Sequence, residues 1–267
     1  MSDKIIDPGT KSGLHQPMHS GEYKPGANNA ATHHPYLSVW DVQAYYGESY
    51  IVQGVSFNIH EGEILALLGR NGAGKTSTLR TIARMGDPEL RHGEIWLDHQ
   101  PLHEMKSFQA ARAGIALVPE DRCIIPGLTV EENLELAQIA PDHGWSIERV
   151  YDLFPRLRER RKQEGVTLSG GEQQMLAIAR ALTRDIKVLL LDEPYEGLAP
   201  VIVQEIARTL ETIRDQGITT VIVEQNAVAA LNLSDRAVIL DTGSVVFDGS
   251  AKEVLENDEL RAEYLAI

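Results

Sequence analysis

The string Gly69-Arg-Asn-Gly-Ala-Gly-Lys-Thr76 is the most informative part of this sequence. It matches the pattern G-x-x-x-x-G-K-[ST], and it lies between an apolar run at residues 64–68 and a segment with helical spacing at residues 76–84. Glycines let backbone N–H groups converge on phosphate oxygens, and the dipole of the following helix favours an anion at its N-terminus. We therefore predict a strand, a phosphate-binding loop and a helix, which together indicate a nucleoside triphosphate site but no particular reaction.

This loop supplies most of the candidate ligands for the nucleotide. Lys75 can reach the β- and γ-phosphates, so it is both a binding and a catalytic candidate, and the Thr76 hydroxyl can ligate Mg²⁺. The candidate ATP-binding residues of the loop are Gly69, Arg70, Asn71, Gly72, Ala73, Gly74, Lys75, Thr76 and Ser77. The alternative is a chance glycine-rich turn, which the Lys-Thr pair between strand and helix disfavours.

Two carboxylates follow a second apolar run, at residues 188–191. In an open α/β sheet, ligands bind beyond the carboxyl ends of the strands. Asp192 is therefore a candidate Mg²⁺ ligand, and Glu193 is a candidate general base that polarises a water molecule for attack on the γ-phosphorus. An acid pair that caps a helix is the alternative, and the presence of the phosphate loop disfavours it.

Composition excludes several classes of function. The chain has 267 residues and a formal net charge of −14, so nucleic acid is not expected as the main partner. No apolar run approaches the roughly 18–20 residues that cross a bilayer, and no signal peptide is evident. Cys123 is the one cysteine, which rules out an internal disulfide and fits a reducing cytosol. Residues 1–35 are rich in Gly, Pro, Ser and His and are predicted to form a flexible tail.

Strands and helices alternate through the rest of the chain. Short apolar runs at residues 64–68, 115–118, 188–191 and 218–223 predict buried strands, and apolar residues with helical spacing separate them. This order is typical of an α/β fold with a mainly parallel sheet. Two additions are expected: alternating strands before residue 60, and a helical block in the middle of the chain. A hairpin is predicted at residues 237–247.

A third motif, Leu168-Ser-Gly-Gly-Glu172, stands directly before a predicted helix. Ser169 is a good N-cap, which is its plain structural explanation. Between the phosphate loop and the Asp-Glu strand, however, this string resembles the signature of the ATP-binding-cassette (ABC) ATPases, and the resemblance covers residues 37–267. It implies a P-loop NTPase domain with a RecA-like, mainly parallel core sheet, an antiparallel β subdomain and an α-helical signature subdomain at about residues 121–180.

In this family two ATPase domains pair head to tail, and the signature loop of one closes on ATP held by the other. The resemblance therefore implies that one set of residues contacts ATP in the partner subunit: Leu168, Ser169, Gly170, Gly171 and Glu172. Tyr46 matches the aromatic residue that stacks on adenine, and a core tyrosine at a strand end is the alternative. ATP and Mg²⁺ are the implied cofactors.

Further strings are similar to one branch of the family, the second ATPase subunit of branched-chain amino-acid importers. They are 118–122, 128–134, 172–182, 196–200 and 223–226. Three positions depart from the general family pattern but fit this branch. Glu120 replaces a glutamine and is a candidate Mg²⁺ ligand, Gln225 replaces the switch histidine and is a catalytic candidate, and Ala199 replaces an aspartate. Tyr195 stands where a small residue is usual.

The resemblance implies an ATP-hydrolysing motor subunit on the cytoplasmic face of the inner membrane. Its implied partners are two transmembrane permease subunits, a second ABC ATPase subunit and, indirectly, a solute-binding protein, with residues 120–126 facing the permeases. Uptake of branched-chain or related amino acids is the leading function. The alternatives are uptake of urea, amides or another small solute, export of a solute or lipid, a soluble ABC ATPase, and a nucleotide-binding regulator with little hydrolysis.

Overall fold

The computed structural model describes residues 35–138 and 144–265, so the predicted flexible tail falls outside the described residues apart from Pro35. The strands are β1 (Leu37–Tyr46), β2 (Ser49–Ile59), β3 (Ile64–Leu68), β4 (Glu89–Leu97), β5 (Gln100–Pro101), β6 (Ile115–Val118), β7 (Val188–Asp192), β8 (Thr219–Val223), β9 (Arg236–Asp241) and β10 (Ser244–Ser250). The helices are α1 (Lys75–Ile82), α2 (Ser107–Ala113), α3 (Val130–Ala137), α4 (Ile147–Leu153), α5 (Pro155–Glu159), α6 (Gly170–Leu182), α7 (Pro200–Arg214), α8 (Ala227–Leu233), α9 (Ala251–Glu256) and α10 (Asp258–Tyr264).

A six-stranded sheet forms the centre of the fold, with the strand order β10-β9-β3-β8-β7-β6. Every neighbouring pair from β9 to β6 is parallel, and β10 pairs antiparallel with β9 in the predicted hairpin. All residues of β3, β7 and β8 are buried, which explains why their sequences are continuous apolar runs rather than alternating ones. The predicted α/β fold with a mainly parallel core sheet is therefore confirmed.

A second sheet is antiparallel and has the order β2-β1-β4-β5. Its first two strands correspond to the alternating segments predicted before residue 60. β4 was not predicted from the sequence, and it pairs along the outer side of β1 with irregular register between Trp40 and Ala44. This sheet packs against α1, so it lies beside the phosphate loop.

The middle of the chain is helical, as predicted. Thr129 and Glu132 form the expected capping box at the start of α3, and Ser146 caps α4 by accepting a hydrogen bond from the backbone of Arg149. Of the four helices α3–α6, the last extends to Leu182, beyond the subdomain boundary proposed at about residue 180. The division into subdomains stays a prediction.

Sheet topology brings the site together. Because β3, β7 and β8 are parallel neighbours, their carboxyl ends meet at one edge of the sheet. The residues directly beyond those ends are Gly69, Glu193 and Glu224. In the part of the chain that the structure describes, no helix is long and apolar enough to span a membrane.

Candidate functional site

Backbone geometry at the phosphate loop favours the glycines Gly69, Gly72 and Gly74, which all have a positive φ. Gly69 has φ +144°, and a Cβ added there would lie 2.2 Å from the carbonyl oxygen of Leu240. Gly74, the N-cap of α1, has φ +97°, a left-handed conformation that L side chains rarely adopt. The loop therefore packs its backbone against β9 and enters α1 with backbone N–H groups free of side-chain cover.

Lys75 is the first residue of α1 and is buried, with 5 % of its surface exposed. Its Nζ donates hydrogen bonds to the carbonyl oxygens of Gly69 and Arg70, at 2.9 and 3.1 Å. Burial lowers the pKa of Lys75, while the charges of Glu193 and Asp192 oppose that effect. The ammonium group is thus held at the mouth of its own loop, where it can meet the phosphates of a nucleotide.

Thr76 and Asp192 meet although they are far apart in the chain. Thr76 Oγ1 donates a hydrogen bond to Asp192 Oδ1 at 2.8 Å. Asp192 is 4 % exposed, and burial raises the pKa of its carboxyl, an effect that the Thr76 hydrogen bond opposes. A hydroxyl and a carboxylate side by side at a phosphate loop are the hard oxygen ligands that Mg²⁺ prefers, so these residues fit the predicted ion.

Glu193 follows Asp192 in a left-handed backbone conformation, with φ +49°. Its backbone N–H donates to the carbonyl oxygen of Val223 at 2.9 Å, and its Oε2 accepts a hydrogen bond from Gln225 Nε2 at 2.9 Å. Two predicted catalytic residues are therefore in contact. The glutamine amide fixes the carboxylate, and the free Oε1 can accept a proton from water.

Glu120 belongs to a cluster of three carboxylates with Glu193 and Glu196, whose oxygen atoms lie within 4.8 Å of one another. The negative charge of Glu196, followed by burial, raises the pKa of Glu120. Glu120 lines the same cleft as Thr76, and its charge also raises the pKa of Asp192. Its assignment as a ligand of the ion at Thr76 and Asp192 stays a prediction.

A cleft of about 470 Å³ connects these groups. Of the residues predicted from the sequence, those that line it are Tyr46, Asn71, Gly72, Gly74, Lys75, Thr76, Ser77, Glu120, Glu193 and Gln225. Tyr46 is half-buried at the end of β1, and its side chain is hydrogen-bonded to Arg80 of α1. It therefore lies at the rim of the cleft, which is compatible with the proposed stacking on adenine.

Signature residues are placed elsewhere. Among the described residues that line the cleft, none comes from the signature string. Ser169 caps α6 in a capping box with Glu172: its Oγ and N–H both donate to Glu172 Oε2, at 2.7 and 3.0 Å. Leu168 is buried, and Gly171 packs against α7, where an added Cβ would lie 2.6 Å from Ile202. Within one chain, the signature does not contact its own nucleotide cleft.

Sequence reasoning assigned no role to two acidic residues of this region. Glu196 lies in the carboxylate cluster with Glu120 and Glu193. In the sequence it belongs to the string 196–200, which indicates only a resemblance to one branch of the family. Glu224 is 4 % exposed and accepts a hydrogen bond from the backbone N–H of Tyr195 at 2.7 Å. No sequence signal distinguishes Glu224 from an ordinary polar residue at a strand end. Tyr195, which had no explanation, is itself buried in the core beneath α7.

Comparison with known proteins gives consistent results. The sequence model of the family described as ABC transporter matches residues 52–196. BraG of Pseudomonas aeruginosa, a high-affinity branched-chain amino acid transport ATP-binding protein, is 44 % identical over 86 % of this chain and 99 % of its own length. LivF of Archaeoglobus fulgidus, named as a probable branched-chain amino acid transport ATP-binding protein, is 37 % identical over 82 % of this chain and 93 % of its length. LptB of Escherichia coli, from a lipopolysaccharide export system, is 35 % identical over 84 % of this chain and 93 % of its length.

Solved structures match as well. A dimeric ATP-binding cassette in a post-hydrolysis state with ADP and phosphate has a TM-score of 0.71 and 26 % identity, over 80 % of this chain and 98 % of that one. The ATP-binding subunit of an ABC transporter has a TM-score of 0.73 and 28 % identity, over 86 % of this chain and 96 % of that one.

Proposed function

Because this chain belongs to the ABC transporter family of ATP-binding proteins, it hydrolyses ATP in the course of transport, and we propose that it powers an importer of branched-chain or related amino acids. Two relatives whose names give that cargo, BraG and LivF, support the proposal. The observation that carries the ATPase part is geometric. The phosphate loop, the Thr76–Asp192 pair and the Glu193–Gln225 pair meet at one sheet edge.

Roles within the site follow from this arrangement. Lys75 and the N-terminus of α1 bind the β- and γ-phosphates, and Tyr46 stacks on the base. Glu193 accepts a proton from the attacking water through Oε1, while its other oxygen stays bonded to Gln225. Thr76 and Asp192 would hold Mg²⁺, which when bound would offset the negative charge of the phosphates. The cation matters here because Glu120, Glu193 and Glu196 make the cleft acidic.

Signature residues act on a second ATPase subunit in this proposal. Ser169, Gly170 and Gly171 stand at the N-terminus of α6, whose dipole and N–H groups favour a γ-phosphate. Their distance from the cleft of their own chain is consistent with a head-to-tail pair. ATP binding closes the pair and hydrolysis reopens it, so the difference in affinity between the two states supplies the work.

A groove of about 220 Å³ is a candidate surface for the permease subunits. It lies between β6 and α6 and includes Arg122, Cys123, Arg180 and Arg184. Leu136, at its edge, has 63 % of its surface exposed and adds an apolar contact surface to the groove. This groove contains part of the segment 120–126 that was expected to face the membrane partners. We place the chain as a peripheral subunit at the cytoplasmic face of the inner membrane.

The first experiment is to purify a tagged full-length chain from detergent-solubilised membranes and identify the proteins that accompany it. Two permeases and a second ATPase, with a neighbouring solute-binding protein that binds branched-chain amino acids, are the expected result. A solute-binding protein that takes urea or amides instead would replace the cargo and keep the importer. Ribosomes or DNA-repair proteins would overturn the transport proposal.

Export is a second candidate because LptB is also a relative. The same purification separates the two functions, since an exporter complex would contain its permeases without a solute-binding protein. Uptake of labelled leucine into cells that lack the gene for this chain provides an independent measurement. Loss of uptake supports import of branched-chain amino acids, and wild-type uptake contradicts leucine as the cargo.

The catalytic assignment is tested by Glu193→Gln. We expect turnover to fall by about 10²–10⁴-fold, because the amide cannot accept the proton, while ATP binding persists. Glu205→Gln is a matched control: it removes the same charge from the surface of α7, where Glu205 pairs with Arg156 at 3.9 Å. Wild-type turnover in Glu193→Gln would overturn the assignment of Glu193 as the general base.

A further inference from the structure

Glu224 connects the two loops that carry the predicted catalytic residues. It directly follows β8, and Glu193 directly follows β7, the parallel neighbour of β8. Its side chain turns inward: only 4 % of the residue is exposed, although Gln225 beside it is exposed. Glu224 Oε1 accepts the backbone N–H of Tyr195 at 2.7 Å, so a carboxylate from one loop is bonded to the backbone of the other.

The same carboxylate also interacts with its own loop. The backbone N–H groups of Gln225 and Asn226 lie close enough to the same carboxylate to lower its pKa. The Glu224 side chain therefore interacts both with Tyr195, two residues after Glu193, and with Gln225, whose side chain contacts Glu193. Its hydrogen bond to Tyr195 joins the loop of Gln225 to the loop of Glu193.

The conformation of Glu193 needs such support. A non-glycine residue in the left-handed region is uncommon, and it persists where the surrounding structure determines it. The Glu193 N–H is held by Val223 at 2.9 Å on one side, and Tyr195 is held by Glu224 on the other. Without Glu224, the residues after Glu193 would lose their bond to the neighbouring loop.

We propose that Glu224 is a positioning residue that fixes the loop of Glu193 against the loop of Gln225 and so aims the catalytic carboxylate. This inference rests on the proposed role of Glu193. Glu224 is not among the described residues that line the nucleotide cleft, and it acts through the backbone of Tyr195 and Gln225. A misplacement of about 1 Å at a reacting group can cost about 10²-fold in rate, so a residue of this kind affects turnover more than binding.

Protonation of Glu224 weakens this connection. The titratable groups that interact with it are Lys75 on α1 and Glu193 and Tyr195 after β7. Glu211 on α7 acts on Tyr195. Burial, together with the charge of Glu193, raises the pKa of Glu224 to about 7 in spite of the three N–H donors. The ionised carboxylate is the stronger acceptor, so the connection is firm above neutral pH and weaker below it. A cleft of about 400 Å³ that reaches Glu224 gives its proton a path to solvent.

Steady-state ATP hydrolysis by the full-length chain, purified together with its partner ATPase and permease subunits and measured from pH 6 to 8, tests the proposal. Glu224→Ala is expected to lower kcat by about tenfold or more with less than about a twofold change in the KM for MgATP. Glu224→Gln, which keeps one acceptor oxygen, is expected to recover part of kcat and to remove the fall in kcat below pH 7. Glu63→Gln is the matched control. Glu63 is also buried, at 8 % exposure, but it precedes β3 and so lies at the end of that strand away from the phosphate loop.

Several results would overturn the proposal. One is wild-type kcat in Glu224→Ala while Glu193→Gln is inactive, since the role of Glu193 would then stand without Glu224. Another is a pH profile of kcat in Glu224→Gln that is the same as in the wild type. This comparison remains informative if Glu224→Ala does not fold. A third is a kcat loss in Glu63→Gln equal to that in Glu224→Ala, because any buried carboxylate would then have the same effect. Activity in Glu193→Gln would instead refute the assignment of the base.

Discussion

Asp192 keeps a carboxylate in a position with little access to water, next to the hydroxyl of Thr76. We expect Asp192→Asn to preserve the shape of the site and the Thr76 hydrogen bond but to remove the charge that attracts Mg²⁺. ATP affinity in the presence of Mg²⁺ should fall by about tenfold, which corresponds to about 1.4 kcal/mol. Binding of a fluorescent ATP analogue, titrated with and without Mg²⁺, measures this change.

Chelation of the metal provides the internal control for this variant. With EDTA present, Asp192→Asn and the wild-type chain should bind the analogue equally or the variant should bind slightly better, because one negative charge has left an acidic cleft. A loss of affinity that is the same with and without Mg²⁺ would show that Asp192 acts on the fold of the loop rather than on the ion.

Gln225 differs from the histidine usual in the family in one chemical respect: its amide donates a hydrogen bond but does not titrate near neutral pH. We expect Gln225→Ala to lower kcat by about three- to tenfold, because Glu193 loses the 2.9 Å bond that orients it. Phosphate release assays measure the effect. Gln216→Ala, on an exposed glutamine that follows α7, is the control and should keep wild-type turnover, and equal turnover in both variants would remove Gln225 from the site.

At the scale of elements, two helices of this chain begin with the same capping box. Ser169 and Glu172 start α6, and Thr129 and Glu132 start α3. Replacing either cap by alanine should cost about 1 kcal/mol of unfolding free energy, measured in urea. Only Ser169→Ala should also lower ATP turnover by the assembled transporter, since we propose that this helix start binds the partner's γ-phosphate. If Ser169→Ala and Thr129→Ala reduced turnover equally, capping alone would explain the signature serine.

The turn into the phosphate loop offers another matched pair. Gly69→Ala should lower the unfolding free energy by about 2 kcal/mol or more, because the new methyl would lie 2.2 Å from the carbonyl oxygen of Leu240. Gly62, in the turn before β3, also has a positive φ, of +72°, but open space around its Cβ position. Gly62→Ala should therefore cost only the conformational penalty of about 1 kcal/mol. Equal losses in urea unfolding would contradict the steric argument.

The elements that could be predicted from the sequence are those whose burial restricts them to apolar residues. β3, β7 and β8 are buried on both faces, so only apolar residues fit and the runs are easy to recognise. β4 was missed because Glu89–Leu97 carries several charges and Gly93, and most of its residues are partly or fully exposed. Gly93 is needed there because a Cβ would lie 2.2 Å from the backbone oxygen of Asp41. That contact arises from tertiary pairing, which no local pattern records.

Within the site, local motifs predicted the residues that line the cleft, but not those that hold them in place. Lys75 and Thr76 are specified by a loop whose spacing reflects phosphate geometry. Glu224 belongs to no such motif, because its inward orientation depends on a backbone N–H that follows a different strand. The contact between Gln225 and Glu193, 32 residues apart in sequence, likewise follows from strand order rather than from composition.

For the molecule as a whole, folding moves the Glu224 carboxyl into a buried environment that disfavours its ionised form. Its pKa rises from 4.5 to about 7, so the native state binds a proton more tightly than the unfolded chain does. The contribution of Glu224 to stability is therefore greatest below pH 4.5 and is lost as the pH rises towards 7. Activity and stability consequently depend on pH in opposite directions: the ionised form aims Glu193, and the neutral form is the more stable one.

This opposition can be measured on the whole chain. Between pH 5 and 7.5 the wild-type unfolding free energy should fall by about 2 kcal/mol relative to that of Glu224→Gln, which cannot ionise at this position. Urea unfolding of both proteins across that range gives the difference directly. Glu63→Gln should follow the wild-type slope because Glu224 is intact in it. If Glu224→Gln instead followed the wild-type slope, the energetic cost of ionising Glu224 would be negligible, and the explanation of the pH profile by this carboxylate would fail with it.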